Sequence, residues 1–416
     1  MTHKHVLMIA YHYPPVKASS GIQRTLKFSE YLRDHDWEAL ILTVSPRAYE
    51  AVSNDQMGEI PPGMVVERAF GLDTARHLSV KGRYLRWMAQ PDRWVSWWPM
   101  GVLQGLRLIR RHRPRAIFAT FPIATSLLIA LTLHRLSGLP LVLDFRDAMT
   151  EPGYPVNPST WKIHRRLETA LIKACSRAVF TTDAARAMYA ERYPDKPADC
   201  WTVIENGFDE DNFRSAEQGL ETRPLGAEGQ MVLVHSGVLY PAERDPRAFF
   251  AALQAMKKDG EISAERLHII LRATGTDDYY RTLLAEYGID DIVSIEPVVA
   301  YRAALQEMMR ADGLLLFQAA ACNKQIPAKL YEYARAGKPI IALTDFAGNT
   351  AGTLNRLQAP WIADIADAAQ IRALLGTVIA RWREGRLQGV ERHLADTCSR
   401  RARSAELARL LDGLPT

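Results

Sequence analysis

The chain alternates short apolar runs with segments long enough for a helix, and it does so in two series. The first series of apolar runs lies at residues 6–10, 39–44, 115–121, 139–145 and 178–182. The second lies at residues 232–237, 267–273, 292–297, 313–318 and 339–343. Short hydrophobic strands that alternate with helices are typical of parallel sheets covered on both faces. The sequence therefore predicts an α/β protein in which two similar parallel-sheet units face each other across a cleft.

The 416 residues suit two or three domains, and one stretch has the composition of a linker. Residues 210–230 are polar and contain glycine, which is typical of inter-domain segments. We therefore expect an N-terminal domain at residues 1–209 and a C-terminal domain at residues 231–385. The arginine-rich residues 386–416 are predicted to be helical and could cap either domain, with packing back on the N-terminal one as one alternative.

The composition is that of an ordinary globular protein, with 24% charged and 48% hydrophobic residues. The four cysteines have no C-x-x-C spacing, so we expect no zinc site of the usual kind and isolated thiols in a reducing compartment. The uncharged residues 116–133 approach the length of a membrane span, but Pro122 divides them into a strand-like and a helix-like part. With no signal-peptide pattern at the start, these features predict a soluble, cytoplasmic protein.

Positive charge is concentrated in residues 81–115. Nine lysines and arginines stand there against one acidic residue, Asp92, which gives a local net charge of +8. Four tryptophans share the window: Trp87, Trp94, Trp97 and Trp98. Basic residues interleaved with tryptophan suit an anionic surface, so peripheral attachment to the inner face of a membrane is one hypothesis. A solvated helix face beside a tryptophan-filled pocket is the alternative, and nucleic acid is not an expected partner because no such binding module is present.

Ligands of open parallel sheets bind beyond the carboxyl ends of the strands, so the loops there are the candidate sites. The loop after the first apolar run contains Ser20 and Gly21, which lead into a predicted helix. Free backbone N–H groups at that point suit a phosphate or a sugar hydroxyl, and Arg24 lies one turn further on. The loop lacks G-x-G-x-x-G, so a dinucleotide-binding fingerprint is not met, and a simple turn is the alternative.

A second loop follows the apolar run at residues 139–145 and reads DFRDAMTEP. Asp144, Arg146 and Asp147 end an otherwise apolar strand, although buried charges cost several kcal/mol unless they are paired. We therefore expect Asp147 and Arg146 to contact a ligand at the carboxyl end of this strand. An internal Asp–Arg pair that only holds the loop is the alternative.

Two further loops belong to the second unit. Gly237 permits a close backbone approach, and Arg244 offers a planar donor fork to phosphate oxygens. Asp245 and Pro246 read as a helix N-cap followed by a first-turn proline.

The last loop leads into a helix predicted to start at Pro327 and to end at Gly337. Lys329 and Glu332 lie three residues apart and therefore on one face of that helix. Lys329 could neutralise phosphate and Glu332 could accept both hydroxyls of a ribose. A surface ion pair of little energetic weight is the alternative.

Taken together, the motifs DFRDAM, GVLYPAERDP and PAKLYEYARAGKPI resemble those of the retaining GT-B glycosyltransferases of family 4. The resemblance runs from YHYPP near the N-terminus to about residue 350. It implies two Rossmann-like domains, with a nucleotide-sugar held mainly by the C-terminal domain and the acceptor by the N-terminal one.

By motif position, the resemblance assigns the donor-binding residues Ser20, Gly21, Gly237, Arg244, Lys324, Lys329 and Glu332. On the acceptor side we place Arg24, Trp97 and Trp98. Asp147 and Arg146 are expected close to the transferred sugar: Asp147 could orient the acceptor hydroxyl, and Arg146 could hold the phosphate or only position Asp147. Three positions depart from the family pattern. Lys324 stands where a sugar-contacting glutamate is common, Val238 replaces an arginine, and Arg146 replaces a histidine.

The resulting hypothesis is a glycosyltransferase that moves a sugar from a nucleotide-diphosphate donor to a hydroxyl of a cell-envelope saccharide or a lipid-linked acceptor. The resemblance implies retention of the anomeric configuration. No D-x-D motif follows a strand, so we expect neither a metal ion nor a cofactor. A nucleotide-sugar 2-epimerase and a non-catalytic nucleotide-sugar-binding protein are the alternatives.

Overall fold

The computed structural model describes residues 4–17, 21–241 and 243–415. Its first sheet has seven strands in the order β3-β2-β1-β4-β5-β6-β7, and every neighbouring pair is parallel. The strands are β1 (Lys4–Ile9), β2 (Trp37–Val44), β3 (Val66–Ala69), β4 (Ala116–Phe121), β5 (Leu141–Phe145), β6 (Arg177–Phe180) and β7 (Trp201–Val203). The helices that connect them are α1 (Gly21–Tyr31), α2 (Thr74–His77), α3 (Trp97–His112), α4 (Ala124–Ser137), α5 (Pro158–Ala174) and α6 (Asp183–Arg192).

The second sheet has six parallel strands in the order β10-β9-β8-β11-β12-β13. The strands are β8 (Met231–Ser236), β9 (Leu267–Arg272), β10 (Val293–Glu296), β11 (Gly313–Gln318), β12 (Ile340–Thr344) and β13 (Ile362–Ala363). Around this sheet lie α7 (Glu210–Glu217), α8 (Arg247–Lys258), α9 (Asp277–Tyr287), α10 (Tyr301–Arg310), α11 (Lys329–Ala336), α12 (Asn349–Arg356), α13 (Ala368–Arg383) and α14 (Arg392–Asp396). The prediction of two parallel α/β sheets is thereby confirmed, and each of the ten apolar runs overlaps a strand.

Proline ends the most apolar strand of the first sheet. All six residues of β4 are buried, as expected of a central strand covered on both faces. Pro122 follows it, and α4 then runs from Ala124 to Ser137 with Gly138 as its left-handed C-cap at φ +73°. The long uncharged stretch is therefore a strand and a helix. Among the residues that the structure describes, no helix combines the length and the apolar character that crossing a membrane requires.

The contacts divide the chain into two compact units. The first comprises the residues up to Asn206 together with those from Arg400 onward, and the second comprises Gly207–Ser399. Residues 210–230 therefore belong to the second unit, and their first eight residues form α7. A last helix, α15 (Arg400–Asp412), buries Leu407, Ala408 and Leu411 in the core of the first unit.

The four cysteines are buried thiols. Two of them are close neighbours, because the sulfur atoms of Cys175 and Cys200 lie 3.8 Å apart between the end of α5 and the start of β7. The other two, Cys322 and Cys398, lie in the second unit.

Candidate functional site

The order of the strands marks one place in each sheet where a ligand is expected. In the first sheet the chain winds outward in opposite directions from β1 and β4, and in the second it does so from β8 and β11. Crevices at such reversal points, outside the carboxyl ends of the strands, are where open α/β sheets bind ligands. The loops after β1 and β4 and those after β8 and β11 are therefore the candidate sites.

A buried ion pair lies near the reversal point of the first sheet. The Arg24 guanidinium contacts Asp144 with an N–O distance of 2.7 Å, and both side chains are almost fully buried. Arg24 also donates to the backbone carbonyl groups of Glu205 (3.0 Å) and Ile204 (2.9 Å), and Asp144 accepts from the Thr120 hydroxyl (2.9 Å). Since these partners occupy the guanidinium, Arg24 holds α1 to β5 and to the segment after β7. Its expected place on the acceptor side is corrected accordingly.

Arg146 connects three loops at the reversal point. Its guanidinium donates to the carbonyl oxygen of Phe121 (2.7 Å), to that of Gly21 (2.6 Å) and to Nδ1 of His12 (3.2 Å). The end of β4, the start of α1 and the loop after β1 are therefore held by one cation. This arrangement makes Arg146 a positioning residue in the structure.

Gly21 permits the close packing at this point. A Cβ atom there would lie 3.3 Å from a terminal nitrogen of Arg146 and 3.5 Å from the His12 ring, which is tighter than ordinary contact for the arginine. The neighbouring donor-binding candidate, Ser20, lies outside the described residues. His12 is a member of the site that sequence reasoning missed; the available signal was a histidine three residues after a buried strand.

Asp147 lies exposed two residues beyond β5. Although its side chain reaches solvent, the surrounding protein displaces enough water to raise the pKa of Asp147 above its ordinary value. The Arg146 charge opposes that effect, and the Asp144 and Glu151 carboxylates reinforce it. Among the described residues, none donates a hydrogen bond to this carboxylate, so it is open to a substrate hydroxyl.

A buried glutamate, which the sequence did not single out, supports the loop that carries Asp147. The Glu168 carboxylate accepts hydrogen bonds from the Thr150 hydroxyl (2.8 Å) and the Tyr189 hydroxyl (3.0 Å). It also accepts from Arg165, Arg192 and Tyr193. Because Thr150 belongs to the loop after β5, this network fixes that loop on α5 and α6.

The tryptophans of the basic window do not form one surface. Trp97 is fully buried in the core, which corrects its expected place on the acceptor side. Trp98 is 38% exposed, and its indole N–H donates to the Thr132 hydroxyl at 3.0 Å. Trp94 is half-buried and donates to the Ala48 carbonyl, whereas Trp87 is 71% exposed. The window is thus part core and part surface.

In the second unit, a lysine and a histidine meet at the reversal point. The Lys329 ammonium lies 3.1 Å from Nε2 of the fully buried His235, whose Nδ1 lies 2.9 Å from the Leu315 carbonyl oxygen. Burial and the nearby Arg244 guanidinium lower the pKa of Lys329 to about 7. Burial, with Lys329 beside it, holds the pKa of His235 well below its ordinary value. His235 is therefore neutral and was not predicted as a site residue.

Gly237 follows β8 in a conformation that glycine favours, with φ +111°. A Cβ atom at this position would lie 3.0 Å from the Lys329 ammonium. The positive φ favours glycine at this position, and a larger residue would also displace the end of the Lys329 side chain.

Arg244 lies in the same loop and is half-buried. It donates to the Val238 carbonyl at 2.6 Å, and its guanidinium lies 5.2 Å from the centre of the Tyr240 ring. Its Nε is buried and has no partner among the described residues.

Helix α8 begins one residue later than expected. Pro246 is its N-cap, and Asp245 accepts from the Arg247 backbone N–H at 3.1 Å.

Helix α11 begins at Lys329, two residues after Pro327, and ends at Gly337 with φ +70°. Glu332 lies in its first turn and accepts a hydrogen bond of 2.7 Å from the Tyr301 hydroxyl. Lys324 lies exposed before the helix. The structure thus brings Gly237, Lys329 and Arg244 together at the reversal point.

A cavity of about 660 Å³ lies beside them, at the carboxyl ends of β8, β9 and β10. Its volume is in the range of small-molecule sites. Its lining includes Val238, Ala273, Gly275, Thr276, Tyr279 and Val298. Among the described residues, no group of three or more His, Cys, Asp or Glu is placed to hold a metal ion.

Comparison with known proteins agrees with this architecture. The family profile described as glycosyl transferase 4-like domain matches residues 21–207. No curated protein sequence matches the chain significantly.

Solved structures resemble the whole chain. Sucrose-phosphate synthase from Thermosynechococcus elongatus has a TM-score of 0.68 at 13% identity, with 99% of this chain and 98% of that chain covered. Anabaena HepE in complex with UDP has a TM-score of 0.68 at 16% identity, with 99% and 100% covered. A UDP-forming trehalose-phosphate synthase from Burkholderia xenovorans, in complex with glucose-6-phosphate, has a TM-score of 0.65 at 11% identity, with 99% and 100% covered. The chain therefore has the GT-B fold of these structures, and its residues 21–207 form a glycosyl transferase 4-like domain.

Proposed function

We propose that the enzyme transfers a sugar, with retention, from a nucleotide-diphosphate donor to a hydroxyl of a cell-envelope saccharide or a lipid-linked acceptor. The observation that carries the donor assignment is the meeting of Lys329, Arg244 and Gly237 at the reversal point of the second sheet. Two cationic side chains beside an open backbone turn suit a diphosphate. Uridine is the expected nucleoside, because Anabaena HepE is described in complex with UDP and with UDP-glucose.

Each donor-binding residue has a part that its chemistry suits. Arg244 and Lys329 neutralise the diphosphate, Glu332 accepts hydrogen bonds from the ribose hydroxyls, and the base occupies the neighbouring cavity. A bound diphosphate favours the charged form of Lys329, which burial disfavours in the free protein. As the glycosidic bond breaks, these cations stabilise the charge that develops on the leaving diphosphate.

The first unit supplies the acceptor side of the reaction. Asp147 orients the acceptor hydroxyl, and Arg146 positions the loops around it. Gly21, with Ser20 before it, lets the start of α1 approach the donor phosphate or the transferred sugar. Trp98 is the remaining aromatic candidate for acceptor contact. In this scheme the cations of the protein supply the positive charge, so the proposal includes no metal ion and no further cofactor.

An exposed segment of the first unit supports attachment to a membrane, where a lipid-linked acceptor would be found. Residues 80–87 form an exposed strap in which Val80, Leu85 and Trp87 are 76%, 62% and 71% exposed. Lys81, Arg83 and Arg86 are exposed between them. Apolar and basic side chains in one strap suit the surface of an anionic membrane, and each cation contributes about 1 kcal/mol there. We place the enzyme at the cytoplasmic face of such a membrane.

A donor screen by thermal shift tests the proposal. A ligand that binds only the folded protein raises its melting temperature, by an amount that increases with its concentration. We expect UDP and a UDP-sugar to raise it more than GDP- and dTDP-sugars, with or without EDTA. No shift with any nucleotide-sugar would contradict the proposal, and conversion of the donor to an epimer without an acceptor would favour the epimerase alternative.

A further inference from the structure

The loop after β1 contains a histidine, His12, to which the proposed transfer reaction assigns no role. His12 lies three residues beyond the end of β1, at the reversal point of the first sheet. The half-buried ring packs edge-on against Tyr11, with the ring centres 5.1 Å apart and the planes at 88°. This contact fixes the ring beside Gly21 and Arg146.

The contact with Arg146 determines which ring nitrogen carries the proton. A guanidinium has donors only, so the Arg146 nitrogen that lies 3.2 Å from Nδ1 of His12 must donate to it. Nδ1 therefore has no proton, and the neutral ring carries its proton on Nε2. Arg146 itself is fixed by the Phe121 and Gly21 carbonyl groups, so the tautomer is built into the fold.

The ring also stays uncharged at physiological pH. Burial lowers the pKa of His12 to about 4, and the adjacent Arg146 charge acts in the same direction. Among the described residues, none forms a hydrogen bond with Nε2. The loop therefore presents a fixed N–H donor, without a partner in the part of the chain that the structure describes, at the place where a ligand is expected.

We propose that His12 binds a sugar hydroxyl through its Nε2–H group, as a neutral hydrogen-bond donor that Arg146 orients. The proposal rests on the transferase function above and adds a substrate-contacting residue to the first unit. The hydroxyl belongs to the transferred sugar or to the acceptor saccharide, and the chemistry of recognition is the same for both. His12 is not expected to accept a proton from a substrate, because Nε2, the ring nitrogen that does not contact Arg146, already carries a proton.

Two substitutions separate hydrogen bonding from ring packing. His12→Phe removes the donor and keeps a ring, whereas His12→Gln keeps an N–H donor at similar reach. We expect His12→Phe to lower kcat/KM by about 5- to 150-fold, which is the range expected when a buried polar group loses its hydrogen-bond partner. His12→Gln should retain most of the wild-type kcat/KM. His393→Phe, at a histidine with a 71% exposed side chain in the second unit, is the matched control. A KM effect for acceptor or for donor tells which sugar is bound.

A spectroscopic readout tests the proposal without turnover. In protein labelled with ¹⁵N-histidine, the signal lost in His12→Phe should show the Nε2–H tautomer and no titration between pH 5.5 and 9. Addition of UDP-glucose or of an acceptor saccharide should shift that signal. An Nδ1–H tautomer, a titration near pH 6.5, full activity of His12→Phe, or equal losses in both variants at unchanged stability would overturn the proposal. If the wild-type enzyme transfers no sugar, the proposed function fails, and the sugar-induced shift alone decides the role of His12.

Discussion

The Lys329 ammonium nitrogen lies 3.1 Å from Nε2 of the buried His235, at the end of strand β8. The lysine is thereby fixed in a protein interior that disfavours its charge. Burial and the nearby Arg244 guanidinium lower the pKa of Lys329. In the proposed function, a bound diphosphate would favour the charged form of Lys329.

The first prediction concerns stability against pH. The pKa of Lys329 falls from its ordinary 10.5 to about 7 in the folded protein. Between these values the unfolded state binds more protons, so stability should increase as the pH rises from 7 towards 10, by at most about 1.4 kcal/mol per pH unit. Lys329→Met should lose this increase in stability with pH, whereas Lys258→Met, at an exposed position, should keep it. Urea denaturation at pH 6.5, 8 and 9.5 measures the difference, and equal slopes in all three proteins would refute the prediction.

The second prediction concerns the donor. Arg244→Ala and Glu332→Ala each remove a charge-assisted hydrogen bond to the nucleotide, which costs roughly 1.5–3 kcal/mol, or about 10- to 150-fold in affinity. Calorimetric titration with UDP measures the effect. Arg247→Ala is the control, because this exposed arginine lies three residues after Arg244 and pairs with Asp245. Wild-type affinity in both test variants would show that the donor binds elsewhere.

The third prediction concerns the buried pair in the first unit. Arg24→Met leaves the Asp144 carboxylate buried without its cation, and such a change costs about 3–5 kcal/mol. Arg186→Met breaks the exposed Arg186–Asp183 pair and should cost at most about 1 kcal/mol. Chemical denaturation followed by tryptophan fluorescence compares the two. A small loss in Arg24→Met would mean that the pair does not hold the sheet to α1.

The fourth prediction concerns Asp147. Asp147→Asn keeps the shape and removes the charge that orients the acceptor hydroxyl, so we expect kcat to fall by about 10²-fold with little change in UDP affinity. Because the pKa of Asp147 is raised, wild-type activity should decline at a higher pH on the acid side than an ordinary aspartate would allow. Asp183→Asn, at an exposed carboxylate of the same unit, is the control. Normal turnover in a folded Asp147→Asn enzyme would remove Asp147 from the mechanism.

The fifth prediction concerns the membrane. The wild-type enzyme should sediment with vesicles that contain anionic lipid at low salt and should be released at high salt, because screening weakens the attraction. The double variant Lys81→Glu and Arg83→Glu should lose this binding, whereas Arg381→Glu and Arg383→Glu, the same charge change in the second unit, should not. Absence of the wild-type enzyme from the pellet at low salt, or binding that salt does not affect, would reject the electrostatic attachment.

Strands were more predictable than contacts. Each central strand is a continuous apolar run, which can be recognised locally. Of the four edge strands, β10 was predicted, whereas β3, β7 and β13 have four residues or fewer and were missed. The helix end at Gly337 also followed from local rules. The resemblance correctly indicated the fold, because its motifs occupy loops that the alternation of strands and helices had already located.

The interior of the sites could not be derived in this way. Arg24 meets Asp144 across 120 residues of sequence and His12 meets Arg146 across 134, and both contacts depend on the strand order β1-β4-β5. Trp97 and Trp98 are adjacent in a basic window, yet one is buried and the other exposed, because neighbouring helix positions point in different directions. Side-chain roles therefore required the packed structure.

Sugar transfer itself tests the central claim most directly. The purified enzyme is incubated with UDP-[¹⁴C]glucose and with the corresponding labelled UDP-sugars, with and without a lipid extract that contains saccharide acceptors, in the presence and absence of EDTA. The account predicts a labelled glycosylated product together with released UDP. Both should depend on the acceptor and be unaffected by EDTA, and Glu332→Ala should reduce the labelled product and the released UDP. No labelled product from any nucleotide-sugar, or loss of the reaction with EDTA and its return with manganese, would contradict the account.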